Sequence, residues 1–224
     1  MGNIITLKNA TKIYGDKVQT LALNDVSLTI KEGSFNAIIG ESGSGKSTML
    51  NIIGTLDKPT TGDVIIDGKS IMKMTNKELS KLRNETIGFI FQFHYLLPEF
   101  TILENVLMPA LIKNNIDKNR ALELLKLVGL EGKENKKVNE LSGGQQQRVA
   151  IARSLINKPK IILADEPTGN LDSGTTESIY NLLRDINQKL KTTFIIITHD
   201  KRVAEKADRI IEIQDGKIDI DIYK

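Results

Sequence analysis

Three short runs carry the chemistry of this chain. Gly40-Glu41-Ser42-Gly43-Ser44-Gly45-Lys46-Ser47 fits the pattern G-x-x-x-x-G-K-[ST]. It follows an apolar run, Asn36–Ile39, and opens a helix-like stretch, the context a phosphate-cradling loop requires. The glycines allow backbone N–H groups to turn inward around an anion, and the helix start adds partial positive charge. In such a loop Lys46 neutralises the β- and γ-phosphates, Ser47 offers its hydroxyl to Mg²⁺, and Thr48 is a further nucleotide contact. The second run is Ile161-Ile162-Leu163-Ala164-Asp165-Glu166, an apolar strand ending in two acids. Ligands bind at strand C-termini in open α/β sheets, so Asp165 fits a Mg²⁺ carboxylate and Glu166 a general base toward water. The third run is Leu141-Ser142-Gly143-Gly144-Gln145-Gln146-Gln147-Arg148. Here Ser142 caps a helix start and two glycines expose its N–H groups, which makes a second anion-binding end. A chain with one phosphate loop has no obvious internal use for it.

The elements needed to hold these runs can be read from the hydrophobic pattern. Strand-like stretches fall at Ile4–Lys8, Ala22–Ile30, Asn36–Ile39, Gly62–Asp67 and Thr86–Phe91, with helical stretches at Lys46–Leu56 and Asn76–Arg83. From Leu103 to Leu130 the period becomes helical. Ala121, Leu124, Leu125 and Val128 share one face, Asp117 suits an N-cap and Gly129 a C′ position, and Pro109 is expected to kink or divide the earlier helix. A helix pattern runs from Ser142 to Ile156. Strand and helix then alternate through Lys160–Ala164, Thr175–Leu190, Thr193–Ile197, Lys201–Lys206 and Arg209–Ile213. Alternation of this kind predicts a mainly parallel sheet with helices on its faces.

Composition excludes several classes. The 224 residues include no Cys and only two His, which leaves no disulfide framework, thiolate zinc site or thiol nucleophile. A net charge of +3 gives no large one-sign field, so no nucleic-acid partner is expected. The apolar runs are strand-length, and Met1–Gly15 lacks the charged and apolar regions of a signal peptide. The expectation is a soluble, intracellular, globular chain.

The three runs, in this order, resemble the ATPase subunit of an ATP-binding cassette (ABC) transporter. The resemblance covers essentially the whole chain. It implies an α/β P-loop NTPase fold: a RecA-like, mainly parallel core (about 1–93 and 158–224), an antiparallel N-terminal β subdomain, and an inserted α-helical subdomain (about 94–157). It also implies roles for single residues. Tyr14 stacks on adenine, Gln92 touches Mg²⁺ and senses the membrane partner, Asp172 lies in the D-loop, and His199 sits near the γ-phosphate as a catalytic switch. Two such chains form a head-to-tail homodimer, with ATP clamped between the Gly40–Thr48 loop of one and Ser142, Gly143, Gly144 and Gln145 of the other. The cofactors implied are ATP and Mg²⁺.

The stretch after Gln92 narrows the resemblance. Phe93-His94-Tyr95-Leu96-Leu97-Pro98-Glu99-Phe100-Thr101, followed by Leu103-Glu104-Asn105-Val106 and Met108-Pro109, is similar to the LolD group of lipoprotein-releasing ATPases, which belongs with MacB-type exporters. That implies integral membrane permease subunits of LolC/LolE type docking on the Gln92–Pro109 region, a place on the cytoplasmic face of the inner membrane, and lipoprotein release as the driven process. A MacB-like macrolide or peptide exporter is the alternative within the class. An FtsE-like cell-division regulator, or a soluble cassette ATPase, is the alternative outside it.

Overall fold

The computed structural model describes residues 2–113, 116–200, 204 and 206–224. Two sheets organise the chain. The first is antiparallel, in the order β2-β1-β4-β5, built from β1 (Asn3–Tyr14), β2 (Thr20–Lys31), β4 (Thr61–Ile66) and β5 (Lys69–Ser70). The second has the order β10-β9-β3-β8-β7-β6. Its strands are β3 (Phe35–Ile39), β6 (Ile87–Phe91), β7 (Ile161–Asp165), β8 (Thr193–Ile197), β9 (Arg209–Gln214) and β10 (Lys217–Tyr223). All its neighbours pair in parallel except β10, which closes the edge antiparallel to β9.

The apolar strands are continuous because both faces of the second sheet are covered. On one face Phe35, Ile162, Ala164, Phe194 and Ile196 join the core formed with α3 (Ile102–Leu111), α4 (Lys118–Leu127), α5 (Gly143–Leu155) and α6 (Ser173–Leu190). On the other face Ile38, Ile161, Leu163, Ile195 and Ile197 join the antiparallel sheet, α1 (Lys46–Ile53) and α2 (Asn76–Thr86). Successive residues of one strand thus serve opposite cores, the period-two rule applied to a strand buried twice.

Helix α5 touches α3, α4, α6 and β6, so it joins the helical layer to the sheet. Gly88 makes the close approach possible: a Cβ there would lie 2.3 Å from the Ser154 carbonyl oxygen and 2.6 Å from Ile162 Cδ1. The ends of α2, α3 and α5 are set by reciprocal capping boxes, Thr75–Glu78, Thr101–Glu104 and Ser142–Gln145. Asp117 caps α4, and Gly129 follows that helix at φ +75°.

Several expectations need correction. Helix α1 stops at Ile53, at the C-cap Gly54, rather than running to Leu56. Pro109 does not divide α3, which continues through it to Leu111. A proline this near the C-terminus costs one ladder bond, and its carbonyl is taken up by the side-chain amides of Asn84 and Asn157. β1 extends to Tyr14 through bulged register shifts that interrupt the alternation. An edge strand beyond those expected, β10, follows β9; its alternating Asp and Ile residues are mostly exposed. Of the stretch Lys201–Lys206, three residues (201–203) and residue 205 lie outside the described residues.

Candidate active site

Strand register brings the chemical residues together. Phe91 pairs with Asp165, Asp165 with Ile197, and Ile197 with Ile38. Gln92, Glu166, His199 and the Gly40 loop therefore leave four adjacent strands within two residues of one row. The sheet fixes that row, and the loops only have to depart from it.

The phosphate loop is shaped by glycine. Gly40, Gly43 and Gly45 have φ of +146°, +80° and +110°, the region other residues avoid. A Cβ on Gly40 would lie 2.2 Å from the Ile213 carbonyl oxygen, and one on Gly45 2.5 Å from that of Ala22. Gly45 is the N-cap of α1, with no side-chain cap and no acidic residue in the first turn. The positive helix end is thus unshielded. Lys46 Nζ arches over the loop and donates to the carbonyls of Gly40 (2.9 Å) and Glu41 (2.5 Å). Ser44 is buried, and its hydroxyl has no partner. Glu41, Ser42 and Ser47 are exposed, and Thr48 is half-buried.

The acid pair sits at the end of β7. Glu166 has φ +45°, uncommon for a residue with a Cβ, and is held there by its N–H donating to the Ile197 carbonyl at 3.0 Å. Its Oε1 lies 2.8 Å from His199 Nδ1, while the His199 side chain is 75% exposed. The structure therefore brings together the two residues expected to be catalytic. Gln92 donates to Asn170 Oδ1 at 3.0 Å, which leaves its own amide oxygen available. A Cβ on Gly169 would lie 2.7 Å from Gln92 Nε2.

Tyr14 lies at the end of β1. Its hydroxyl donates to Asp57 Oδ2 at 2.9 Å, and Lys12 Nζ stands 4.8 Å from the ring centroid. The phenol is pushed up, by burial first and then by Asp57, and the Asp57 carboxyl is held low by Lys12 and Tyr14 against the cost of burial. Asp57, which the sequence did not single out, and Asn170, of the run Gly169-Asn170-Leu171-Asp172 that resembles the D-loop, thus orient Tyr14 and Gln92. Ser142 accepts from Gln145 N–H, and the Gln145 side chain returns to Ser142 N–H at 3.2 Å. Gly144 faces Thr175. Asp172 caps α6 by accepting from Thr175 N–H and Oγ1, bonds that hold its carboxyl low. That helix-capping work was not foreseen for it.

Residues 23–169 match the family model described as ABC transporter. The chain belongs to the ABC transporter family. Two solved structures of the cassette MJ0796 cover 98% of both chains: a dimeric post-hydrolysis state bound to ADP and Pi, at 49% identity and TM-score 0.89, and a further dimeric form described as a bacterial ABC transporter cassette, at 50% and 0.88. CbiO1 from Clostridium perfringens, part of the ABC transporter complex CbiONQ, is 30% identical with TM-score 0.89 over 99% of this chain and 88% of its own. The fold described above is therefore that of an ABC cassette, and the enzyme is an ATPase.

One electrostatic feature of the cassette gives a direct test. Burial, and then the Glu166 charge, push the Asp165 carboxyl up, with Lys46 pulling it the other way. An acid whose pKa is raised on folding binds protons more tightly folded than unfolded. Its charge costs stability at pH above the raised value, and the cost fades as pH falls toward the unfolded value. Asp165→Asn keeps the shape and removes the charge. It should raise the nucleotide-free melting temperature by about 2–4 °C near neutral pH and lower turnover by about tenfold or more. Scanning fluorimetry and a phosphate-release assay read both; an unchanged or lower melting temperature would count against the electrostatic argument.

Proposed function

We propose that the chain is the ATP-hydrolysing subunit of an exporter and works as a head-to-tail homodimer. The observation that carries this is α5. Its N-terminus is built around Ser142, Gly143 and Gly144, it satisfies its own cap, and its two glycines face Leu171 and Thr175 rather than the Gly40–Thr48 loop. A second anion-binding end is explained when the ATP on one copy's loop is closed over by the other copy's Ser142–Gln145. The dimeric MJ0796 structures support the reading.

Within each site the Gly40–Thr48 loop wraps the phosphates and Tyr14 offers its ring to adenine. Glu166 accepts the proton of the water that attacks the γ-phosphorus, and ADP departs as the leaving group. His199, 2.8 Å from Glu166, orients the reacting group. The hydroxyl of Ser47, the half-buried Asp165 carboxylate and the free amide oxygen of Gln92 are the hard oxygen donors Mg²⁺ prefers. When bound, the ion neutralises charge on the β- and γ-phosphates. The division into a core (about 1–93 and 158–224) and a helical arm (about 94–157) follows from the same reading.

The partner surface lies beside Gln92. A groove of 470 Å³ runs between α2, β6, α3 and α5, lined by Leu56, Phe89, Phe91, Pro109, Ile112 and Ile156 among others. Phe93 and Tyr95 are exposed at 62% and 65% on the loop leaving β6. Arg153 pins that loop by donating to the carbonyls of His94 and Tyr95, both at 2.6 Å. An apolar groove with aromatic edges suits a short helix of a membrane subunit. The Phe93–Pro109 sequence favours a LolC/LolE-like permease and lipoprotein release, with the cassette on the cytoplasmic face of the membrane. None of the helices among the described residues is long and apolar enough to cross a membrane itself.

The experiment is a titration of ATPase rate against protein and ATP concentration. Specific activity should rise with protein concentration and depend cooperatively on ATP, because each site needs two chains. A constant specific activity with simple saturation would overturn the dimer reading.

A further inference from the structure

The run after Gly144 is a distributor of contacts. Gln145 closes the cap of α5; Gln146 donates to the carbonyls of Val138 and Leu141; Arg148 donates to the Val128 carbonyl and Ser178 Oγ. Gln147 differs from these three because it reaches the catalytic row. Its side chain is fully buried. Nε2 donates to the Pro167 carbonyl at 2.6 Å and lies 3.4 Å from the Phe91 carbonyl. Both neighbours are acceptors, which settles which end of the amide faces them. Pro167 follows Glu166 and Phe91 precedes Gln92. One buried amide on the signature helix thus holds the turn of the general base and the root of the glutamine loop.

We propose that Gln147 is a positioning residue that couples the two ATP sites of the dimer: it transmits engagement of its own chain's α5 by the partner's ATP to that chain's own Glu166 and Gln92. The inference rests on the head-to-tail reading above. In that arrangement α5 touches the ATP on the partner copy, while Glu166 serves the ATP on its own copy. A displacement of α5 on closure moves Nε2, and Nε2 moves the Pro167 turn. Proline lacks an N–H, so the residue after Glu166 has no donor of its own and its carbonyl is the handle by which the turn is held. The Gln147 amide oxygen is buried without a partner, so the residue keeps a costly polar group in place where an apolar one of its size would fit.

The test is Gln147→Met, which keeps volume and removes both donations, with Gln147→Asn, which keeps the amide but shortens its reach. For the native cassette, ADP affinity of the isolated chain, turnover and the ATP Hill coefficient are measured first. Gln147→Met should leave ADP affinity within about twofold, lower kcat by about 5- to 30-fold and bring the Hill coefficient toward one. Asn should fall between. In a Glu166→Gln background the Met variant should still form the ATP-bound dimer, which separates lost coupling from a damaged signature helix. If native hydrolysis is cooperative but both variants keep its rate and cooperativity, the coupling role is overturned and the dimer reading stands. If the variants lose dimer formation or ADP affinity along with melting temperature, Gln147 is structural only, and the proposal fails. If native hydrolysis is itself non-cooperative, the dimer reading falls and takes the coupling role with it.

Discussion

Glu166→Gln should abolish turnover while leaving ATP bound, lowering kcat by about 10²- to 10⁴-fold and accumulating an ATP-loaded dimer on size-exclusion chromatography. The geometry accounts for both halves of this result. Glu166 stands at the end of β7 with φ +45°, its N–H tied to Ile197, so its side chain is presented from a fixed backbone. Glutamine fits the same position and keeps an acceptor for His199 at 2.8 Å, so closure around ATP is preserved. It cannot take a proton from water. The proposed binding groups lie elsewhere, at Tyr14 and on the Gly40–Thr48 loop, and the substitution does not touch them. Near-normal turnover by this variant would remove Glu166 from the role of base. Loss of ATP binding would mean that it serves the loop's architecture instead.

The second large effect concerns the signature helix. A Cβ on Gly144 would lie 2.6 Å from Thr175 Cγ2. Thr175 cannot turn aside cheaply, because its hydroxyl is bound to Asp172 Oδ2 at 2.6 Å and its N–H to Oδ1. Gly144→Val should therefore unseat the start of α5 and bury its N–H groups, with hydrolysis falling about 100-fold or more and the chain's own ADP binding intact. Lys46→Ala should lose activity by the opposite route, through its own loop. Mixing the two inactive proteins is the decisive measurement. In the proposed head-to-tail dimer each site takes its loop from one copy and its signature from the other. A mixed dimer then carries one doubly damaged site and one intact site. Random exchange should restore about one quarter of the native rate if the sites act independently. A mixture as silent as its components would argue that loop and signature act within one chain.

Much of this was legible in the sequence because the chemistry lies in contiguous runs. A phosphate loop needs its glycines, lysine and serine consecutively, since one backbone segment wraps one anion. The acid pair and the signature are local for similar reasons. What could not be read was pairing between distant segments. The order β3-β8-β7-β6 sets the row of strand ends that brings Gln92, Glu166 and His199 together, yet no local pattern states which parallel strands are neighbours. Asp57 and Gln147 escaped notice because their partners, Tyr14 at one end and Pro167 at the other, are 43 and 20 residues away. A buried glutamine inside a polar Gln-Gln-Gln-Arg run reads as a solvated helix face until the fold turns one of the three inward. The strand β10 carries a plain period of two, Ile218, Ile220 and Ile222 alternating with Asp219 and Asp221, but lies past the last strand read from the sequence, at an exposed edge.

The pairing of β6 with β7 has a consequence for how such a subunit can diversify. The residues between Phe91 and Ile161 leave and re-enter the fold on adjacent, hydrogen-bonded strands, five residues in register. Because the two strands run parallel, the stretch leaves at Phe91, level with Asp165, and re-enters at Ile161, level with Ile87, so its ends are clamped at opposite ends of the strand pair, roughly 13 Å apart along the strands. The entropy of closing a loop grows only with the logarithm of its length. The part of the stretch between Gln92 and Ser142 can therefore drift in sequence or lengthen while Gln92, the start of α5 and the row of strand ends stay in place. In the proposed reading that part carries the surface for the membrane subunit, a cartridge that can acquire new customers without retuning the engine.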